Sequence, residues 1–426
     1  MNAKVSGLKL KDIRRFAMPH DIPLSKINLL VGENSIGKTT LLGAVNALGC
    51  LANFKDYNGE DLTDQKNYFS RPPFDFGEFD TLVRRGCMSF QVGFEFDAGP
   101  MSQFLMEFTQ GDTDVFREEK LELSLPNKLE GQPEKLKISR EKINGEEHWL
   151  FEGPGFVFRL PRTFSSFHQF TTWLSRDVRR GQLPFNGDTS LFDKSIHPKH
   201  DEKDHFVKFV NFFRSRMSSF DLNLKVIAIA PNLMQQQRIY RDNSLSSIND
   251  KHKRAQLCTL GRELGIFNDI QITKVAGGFE VHVKLGEEFH NIQDVGLGVS
   301  SVLPFLEAFI NADAHSIFLL QHPEVHLHPQ SQAEMVKVMA RSDHSFIIET
   351  HSDHFVDWFR ILSRKEGIQC SDVTILYLGR VPDDPTTTQV HPITLDELGN
   401  LEGVPKGYRD FFTDELWQLL GIDNED

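Results

Sequence analysis

Apolar positions along the chain change period several times, and each change marks a different kind of element. From Val5 to Val31 they alternate and then run on continuously through Ile27-Asn28-Leu29-Leu30-Val31, with the length and β-branched content of a buried strand. A glycine-rich turn and a helical stretch, Thr39 to Leu51, follow at once. Between Phe74 and Phe158 the period is two. Cys87 to Phe96, Leu121 to Leu125, Leu136 to Ile138, Trp149 to Phe151 and Phe156 to Leu160 read as strands broken by turns, together forming an antiparallel sheet. The pattern between Pro161 and Asp221 is helical and charged, with Phe206, Phe209, Val210 and Phe213 at three- and four-residue spacing and a polar loop from Gly181 to Lys203. Short apolar runs return at Leu224 to Ala230, Ile317 to Leu320, Ser345 to Ile348 and Val373 to Leu378, as a parallel sheet requires. The expected fold is α/β: a mixed or parallel core sheet shared by both halves of the chain, an adjoining antiparallel β-subdomain and an inserted helical subdomain. The corresponding segments are 1–160, 161–221, 222–390 and a tail, 391–426.

Length and charge narrow the classes of function. A chain of 426 residues exceeds one ordinary domain and predicts two or three compact units, one of them discontinuous. Its 36 phenylalanines fall largely in alternating runs such as Phe90, Val92, Phe94 and Phe96, which describe sheet faces and no chemistry. A formal net charge of -13 repels nucleic acid and anionic membranes, so any nucleic-acid contact needs a local patch. The basic run Lys251-His252-Lys253-Arg254 reads as a solvated helix face. Cys50, Cys87, Cys258 and Cys370 have no CxxC spacing, which fits neither a disulfide framework nor zinc and suits a reducing cytoplasm. No window is apolar enough to span a bilayer, and Met1 to Phe16 lacks the apolar core of a secretory signal.

Chemistry enters at Gly32-Glu33-Asn34-Ser35-Ile36-Gly37-Lys38-Thr39, which satisfies G-x-x-x-x-G-K-[ST] between a predicted strand and a predicted helix. Backbone N–H groups and a helix N-terminus there make a cradle for the β- and γ-phosphates of ATP. Lys38 adds a positive charge, Thr39 a hydroxyl for Mg²⁺, and Thr40 a contact to the α-phosphate. The strand Ile317 to Leu320 leads into Gln321-His322-Pro323-Glu324-Val325-His326-Leu327-His328-Pro329, and a later strand into Glu349-Thr350-His351-Ser352-Asp353-His354.

With Asn34 in the phosphate loop, these runs resemble the ABC-type ATPases of the RecF, SMC and overcoming-lysogenization-defect (OLD) group, AAA-family proteins in which GxNxxGK[ST] precedes PExHLHP and THS. The segment Asp294 to Pro304, with Gly296, Gly298 and Ser300, resembles the signature loop of the same group. The resemblance implies an ABC-type fold in which that loop faces the γ-phosphate of a partner subunit, so that two copies clamp two ATP molecules in a twofold pair. It covers about 1–96 and 224–390 and weakens through the helical insertion. It also sets Gln321 where the Mg²⁺-side acid usually stands and His322 where the water-activating glutamate stands. Gln321 then holds Mg²⁺ without charge, Glu324 becomes the nearest general base, and His351 matches the switch histidine. Slow turnover is expected. A metal reading of His322, His326, His328, His344, His351 and His354 is rejected for want of a completing ligand trio. By the same resemblance Asp80 falls near a loop that contacts metal and water, and Arg238 near a phosphate or the partner, though a plain surface turn and an exposed strand end explain them as well.

OLD-type proteins carry a C-terminal nuclease module, whereas 75 residues follow His351 here and contain no Glu followed by a D-x-D pair. The arrangement resembles stand-alone ATPase subunits of bacterial anti-phage systems such as Septu and PARIS. That resemblance implies a homodimer or larger homo-oligomer that scaffolds a separate effector, a nuclease or toxin. A RecF-like repair ATPase and a non-hydrolysing nucleotide-sensing scaffold are the alternatives.

Overall fold

The computed structural model describes residues 4–52, 69–71, 73–98, 101–111, 116–126, 133–161, 205, 207–209, 211–212, 224–230, 237–240, 246–365 and 367–409. Most of the expected helical insertion, the loop 181–203 and the end of the tail lie outside these residues. In chain order the early elements are β1 (Lys4–Lys11), β2 (His20–Pro23), β3 (Ile27–Gly32), α1 (Lys38–Ala52), β4 (Ser70–Arg71), β5 (Phe74–Asp75) and α2 (Phe79–Leu82). Six longer strands come next: β6 (Ser89–Ala98), β7 (Gln103–Gln110), β8 (Phe116–Leu125), β9 (Glu134–Ile143), β10 (Glu146–Gly153) and β11 (Phe156–Pro161). The rest comprises β12 (Val226–Ile229), α3 (Lys251–Glu263), β13 (Asp269–Val275), β14 (Gly278–Leu285), β15 (Glu288–Asn291) and α4 (Leu297–Asn311). Then follow β16 (Ile317–Gln321), α5 (Pro329–Arg341), β17 (Ser345–Glu349), α6 (Asp353–Arg364), β18 (Val373–Val381), β19 (Asp384–Leu395) and β20 (Leu401–Glu402).

These elements form two compact units, and the partition cuts across the four consecutive segments expected from sequence. One unit takes 1–24, 43–224 and 386–388; the other takes 25–42, 225–385 and 389–426. The first is built on an eight-stranded sheet in the order β11-β10-β9-β8-β7-β6-β1-β2, antiparallel at every junction. Phe90, Val92, Phe94 and Phe96 of β6 are buried together, so the alternation read from sequence is one packed face. Phe90 stacks on Phe108 of β7 at 5.3 Å, and Phe151 on Phe158 at 4.7 Å.

The second unit holds a seven-stranded sheet in the order β12-β16-β17-β3-β18-β19-β20. Its five strands from β12 to β18 are parallel, which unites the N-terminal strand β3 with the later apolar runs in one sheet. Strands covered on both faces need no alternation, and Ile27, Leu29, Leu30, Phe318, Leu319, Phe346 and Ile348 are all buried. Asn28 is the polar exception in β3. Its side-chain amide donates to the carbonyls of Ser25 and Phe346 at 2.8 and 3.1 Å, and its oxygen accepts from Ser25 N–H, so the buried polar group is satisfied. The hairpin sheet β13-β14-β15 in this unit was not anticipated from periodicity, whereas the basic run 251–254, read as a helix face, opens helix α3. Helix α6 shows why local signals suffice where they are strong. Ser352 caps its N-terminus through Phe355 N–H, Asp353 stands in the first turn, and Phe355, Val356 and Phe359 form one buried stripe. No described helix is long and apolar enough to cross a membrane.

Candidate phosphate-binding site

The turn from β3 into α1 delivers the loop Gly32 to Thr39. Gly32 adopts φ +142°, and a Cβ on it would lie 2.4 Å from the carbonyl oxygen of Leu378 in neighbouring β18, so glycine is required on steric grounds. Asn34 and Ser35 are exposed at the tip, with Ser35 at φ +59°, while Ile36 is buried beneath them. Glu33 points away and is held by Arg380, 2.8 Å from its carboxylate. Lys38 is only 3 % exposed, and its ammonium donates to the carbonyls of Gly32 (3.0 Å) and Glu33 (2.7 Å). Burial pulls its pKa down, against the attraction of Glu349 and Glu33. A buried cation bonded to neutral carbonyls has no carboxylate in contact among the described residues. Burying a charge without a contacting counter-ion is unfavourable, so the loop suits an arriving anion. Thr40 is buried in the first turn of α1.

Register then brings the strand ends together. In the parallel pair β16 and β17, Gln321 lies opposite Glu349. The Thr39 hydroxyl donates to both Glu349 oxygens, at 2.9 Å to Oε2 and 3.2 Å to Oε1, and the Gln321 amide donates to Thr39 Oγ1 and Glu349 Oε2 at 3.3 Å each. Gln321 and Thr39, the two residues expected to face Mg²⁺, therefore meet each other and a carboxylate not among the site residues read from sequence. The signal for Glu349 was an acid closing an apolar strand immediately before Thr350-His351.

After β16 the chain turns through His322 (φ +47°) and His326 (φ +67°), backbone conformations unusual outside glycine. This turn buries Glu324 to 8 % exposure, and its Oε1 accepts from the backbone N–H of His351 at 3.1 Å. His322 lies between two carboxylates, with Nδ1 3.8 Å from Glu324 and Nε2 3.8 Å from Glu349, and its ring stacks on that of His351 at 4.9 Å. Pairing with Glu324 raises the His322 pKa against the opposing effect of burial. Burial alone would raise Glu324, but His322 and the backbone donors, including His351 N–H, hold its carboxyl below the usual range. Burial, with Lys38 and His322 nearby, lowers His351, which favours the neutral imidazole. Other histidines have plain structural contacts: His328 caps α5 through Gln330 N–H, and His344 packs against Phe309 and Phe318.

Helix α4 starts at the segment read as a signature loop. Gly296 is its N-cap, with no atom within 4 Å of where a Cβ would stand, and Leu297 is half exposed beside it. Gly298 differs, since its Cβ would lie 2.7 Å from the carbonyl oxygen of His326. Ser300 is buried and donates its hydroxyl to Leu297 O at 3.0 Å. Arg238 forks onto Asp294 at 2.6 and 3.1 Å, ahead of this helix. Asp80 lies exposed in the short helix α2 of the other unit.

Comparison with known proteins bears on the same region. Residues 162–357 match the family described as "AAA domain, putative AbiEii toxin, Type IV TA system". A stretch of 66 residues is 36% identical to the DNA replication and repair protein RecF of Oenococcus oeni, covering 16% of this chain and 18% of that protein, so less than a fifth of the relative's length is matched. Among solved structures, the SMC head domain from Thermotoga maritima aligns over 92% of this chain and 99% of its own at 11% identity and a TM-score of 0.37. The Smc head bound to the C-terminal domain of ScpA, derived from Pyrococcus furiosus, aligns over 92% and 96% at 11% identity and a TM-score of 0.41. The architecture itself rests on strand order: the phosphate loop leaves the end of central strand β3, the 349–351 turn leaves adjacent β17, and the 321–324 turn leaves β16, one strand further out. Residues 162–357 carry the match to an AAA-family ATPase domain, and β3, which bears the phosphate loop, pairs with β17 from that stretch.

Proposed function

We propose that this chain binds ATP, hydrolyses it slowly, and pairs with a second copy of itself to scaffold and restrain a separate effector such as a nuclease or toxin. One observation carries the nucleotide part: a strand-to-helix loop whose buried lysine ammonium is held at its mouth by neutral carbonyls. The loop N–H groups and Lys38 bind the β- and γ-phosphates, and Thr40 contacts the α-phosphate. Thr39 and Gln321 would hold Mg²⁺, which would supply positive charge against the phosphates. Glu324, oriented by His351 N–H, takes a proton from the attacking water, and His322 and His351 flank the γ-phosphate. A base whose pKa is held down is a weak one, which supports slow turnover. The exposed Gly296 end of α4 supports a partner's γ-phosphate meeting this helix N-terminus, giving a twofold pair. The toxin-system description of the matching family supports an effector-linked role.

The local RecF identity favours a second reading, a DNA repair ATPase, against which the net charge of -13 weighs. Stimulation of turnover by DNA separates the two. ATP binding with no measurable turnover instead identifies a nucleotide-sensing scaffold. The central test is Lys38→Ala. A unit charge about 4 Å from a phosphate at an effective dielectric near 20 is worth about 4 kcal/mol, so ATP affinity measured by calorimetry falls about a thousandfold. Affinity within threefold of wild type ends the phosphate-loop reading.

A further inference from the structure

The carboxylate expected at the end of β16 is a glutamine, and an acid stands instead across the ladder at the end of β17. Gln321 and Glu349 are register partners, and the atom the phosphate-loop hydroxyl selects is the Glu349 carboxylate. Glu349 is 4 % exposed, so the fold keeps a nearly buried carboxylate in contact with Thr39, Gln321 and His322, none of which is a fixed cation. The spacing, set here by a hydrogen bond, is also compatible with two ligands of one ion. Two cis ligands of an octahedral Mg²⁺ at about 2.0–2.1 Å from the ion stand about 2.9 Å apart. Thr39 Oγ1 and Glu349 Oε2 are 2.9 Å apart. The Gln321 amide, 3.3 Å from both, can turn its oxygen toward the same point, because the two ends of an amide are interchangeable in shape. Among the described residues no three His, Cys, Asp or Glu side chains converge as a complete ligand set. The site therefore suits a hard divalent ion whose remaining positions are filled by phosphate oxygens and water, not a transition metal held by protein alone.

Resting on the ATP reading above, we propose that Glu349 is the metal-side carboxylate of this site, replacing from the adjacent strand the charge that Gln321 lacks. Thr39 Oγ1 and Glu349 Oε2 are then neighbouring ligands, and Gln321 contributes a neutral oxygen or orients a bound water. The Thr39 hydroxyl, which now donates to Glu349, would turn its proton away so that both oxygens could face the ion.

The test measures metal and nucleotide separately on the full chain. Affinity for a non-hydrolysable ATP analogue is determined in EDTA, and Mn²⁺ affinity of the analogue-bound protein is read from the electron paramagnetic resonance signal of free Mn²⁺. Glu349→Gln preserves size and, because it removes a negative charge beside the phosphates, is expected not to weaken analogue binding in EDTA, while weakening Mn²⁺ at least ~10-fold, since even outer-shell losses cost about 10–100-fold. Combining it with Gln321→Glu returns the carboxylate to the neighbouring strand end and restores most of that loss. Wild-type Mn²⁺ affinity in Glu349→Gln, or no recovery in the double variant, overturns the assignment. Should Glu349→Gln not fold, Glu349→Asp withdraws the carboxylate by one methylene and is read in the same way. Failure of the wild-type chain to bind the analogue either in EDTA or with divalent ion tells instead against the nucleotide reading, so the two failures are distinct.

Discussion

Gly298→Ala sets a steric prediction against a propensity one. Alanine in a helix is favoured over glycine by about 0.8–1 kcal/mol, so local preference says that this change stabilises α4. The structure says the opposite. The new Cβ would lie 2.7 Å from His326 O, about 0.7 Å inside the 3.4 Å at which ordinary contact begins, and the obstacle is backbone. His326 already sits at φ +67°, and the N–H of Leu327 beside it is tied to Glu324 O at 3.0 Å, so the loop has little freedom to retreat. Overpacking of this kind costs about 1–3 kcal/mol. Against a rigid obstacle the upper half of that range applies, leaving a net loss of about 1–2 kcal/mol. For a unit of this size the unfolding transition then falls by roughly 2–8 °C, measurable by calorimetry. The displaced loop carries Glu324, so ATP turnover should fall with it. Gly296→Ala is the control: its Cβ meets nothing within 4 Å, so stability should change by less than about 1 kcal/mol, while ATP-dependent pairing of two copies is weakened. A Gly298→Ala protein as stable as wild type would refute the steric account, and a Gly296→Ala protein that pairs normally would refute the role of that helix end.

Two further predictions concern the turn after β16. Glu324→Gln keeps an acceptor for His351 N–H but removes the base, so turnover should drop about 10²- to 10⁴-fold with ATP affinity little changed, and ATP-bound dimers should accumulate in size-exclusion chromatography. Unaltered turnover would exclude Glu324 as the base. The neighbouring histidines should titrate on opposite sides of free histidine, His322 above it and His351 below it, in spectra of ring-labelled protein. Because His322 is raised on folding, its stabilisation is complete below about pH 6.5 and is lost as pH rises through its folded pKa. Glu324 is lowered, so its share is present above about pH 4.3 and lost as pH falls through its own. The pair therefore stabilises the turn most between those limits, and a His322 that titrates below free histidine would contradict the pairing.

What the sequence determined by itself is local. The phosphate loop needs eight consecutive residues between a buried strand and a helix, and both flanks are written in adjacent periodicity, so β3, the loop and α1 were legible. The apolar runs of β16, β17 and β18 were legible for a related reason, since strands covered on both faces need uninterrupted apolar residues, and edge strand β12 carries the same kind of run though only Ile229 in it is buried. Hairpin β13–β15 was not, because its half-exposed strands carry polar residues such as Gln271, Thr273 and Lys274 on both faces. The tertiary structure alone decided which side chains meet. Thr39 and Glu349 are 310 positions apart, and their contact follows from β17 pairing beside β3 in one register. The need for glycine at 298 likewise comes from the carbonyl of His326, on a turn that packs against the helix only after folding. A motif fixes the residue types available for chemistry, and strand order fixes which carboxylate reaches the phosphate-loop hydroxyl, because that distance is set by hydrogen-bonded ladders and not by proximity along the chain.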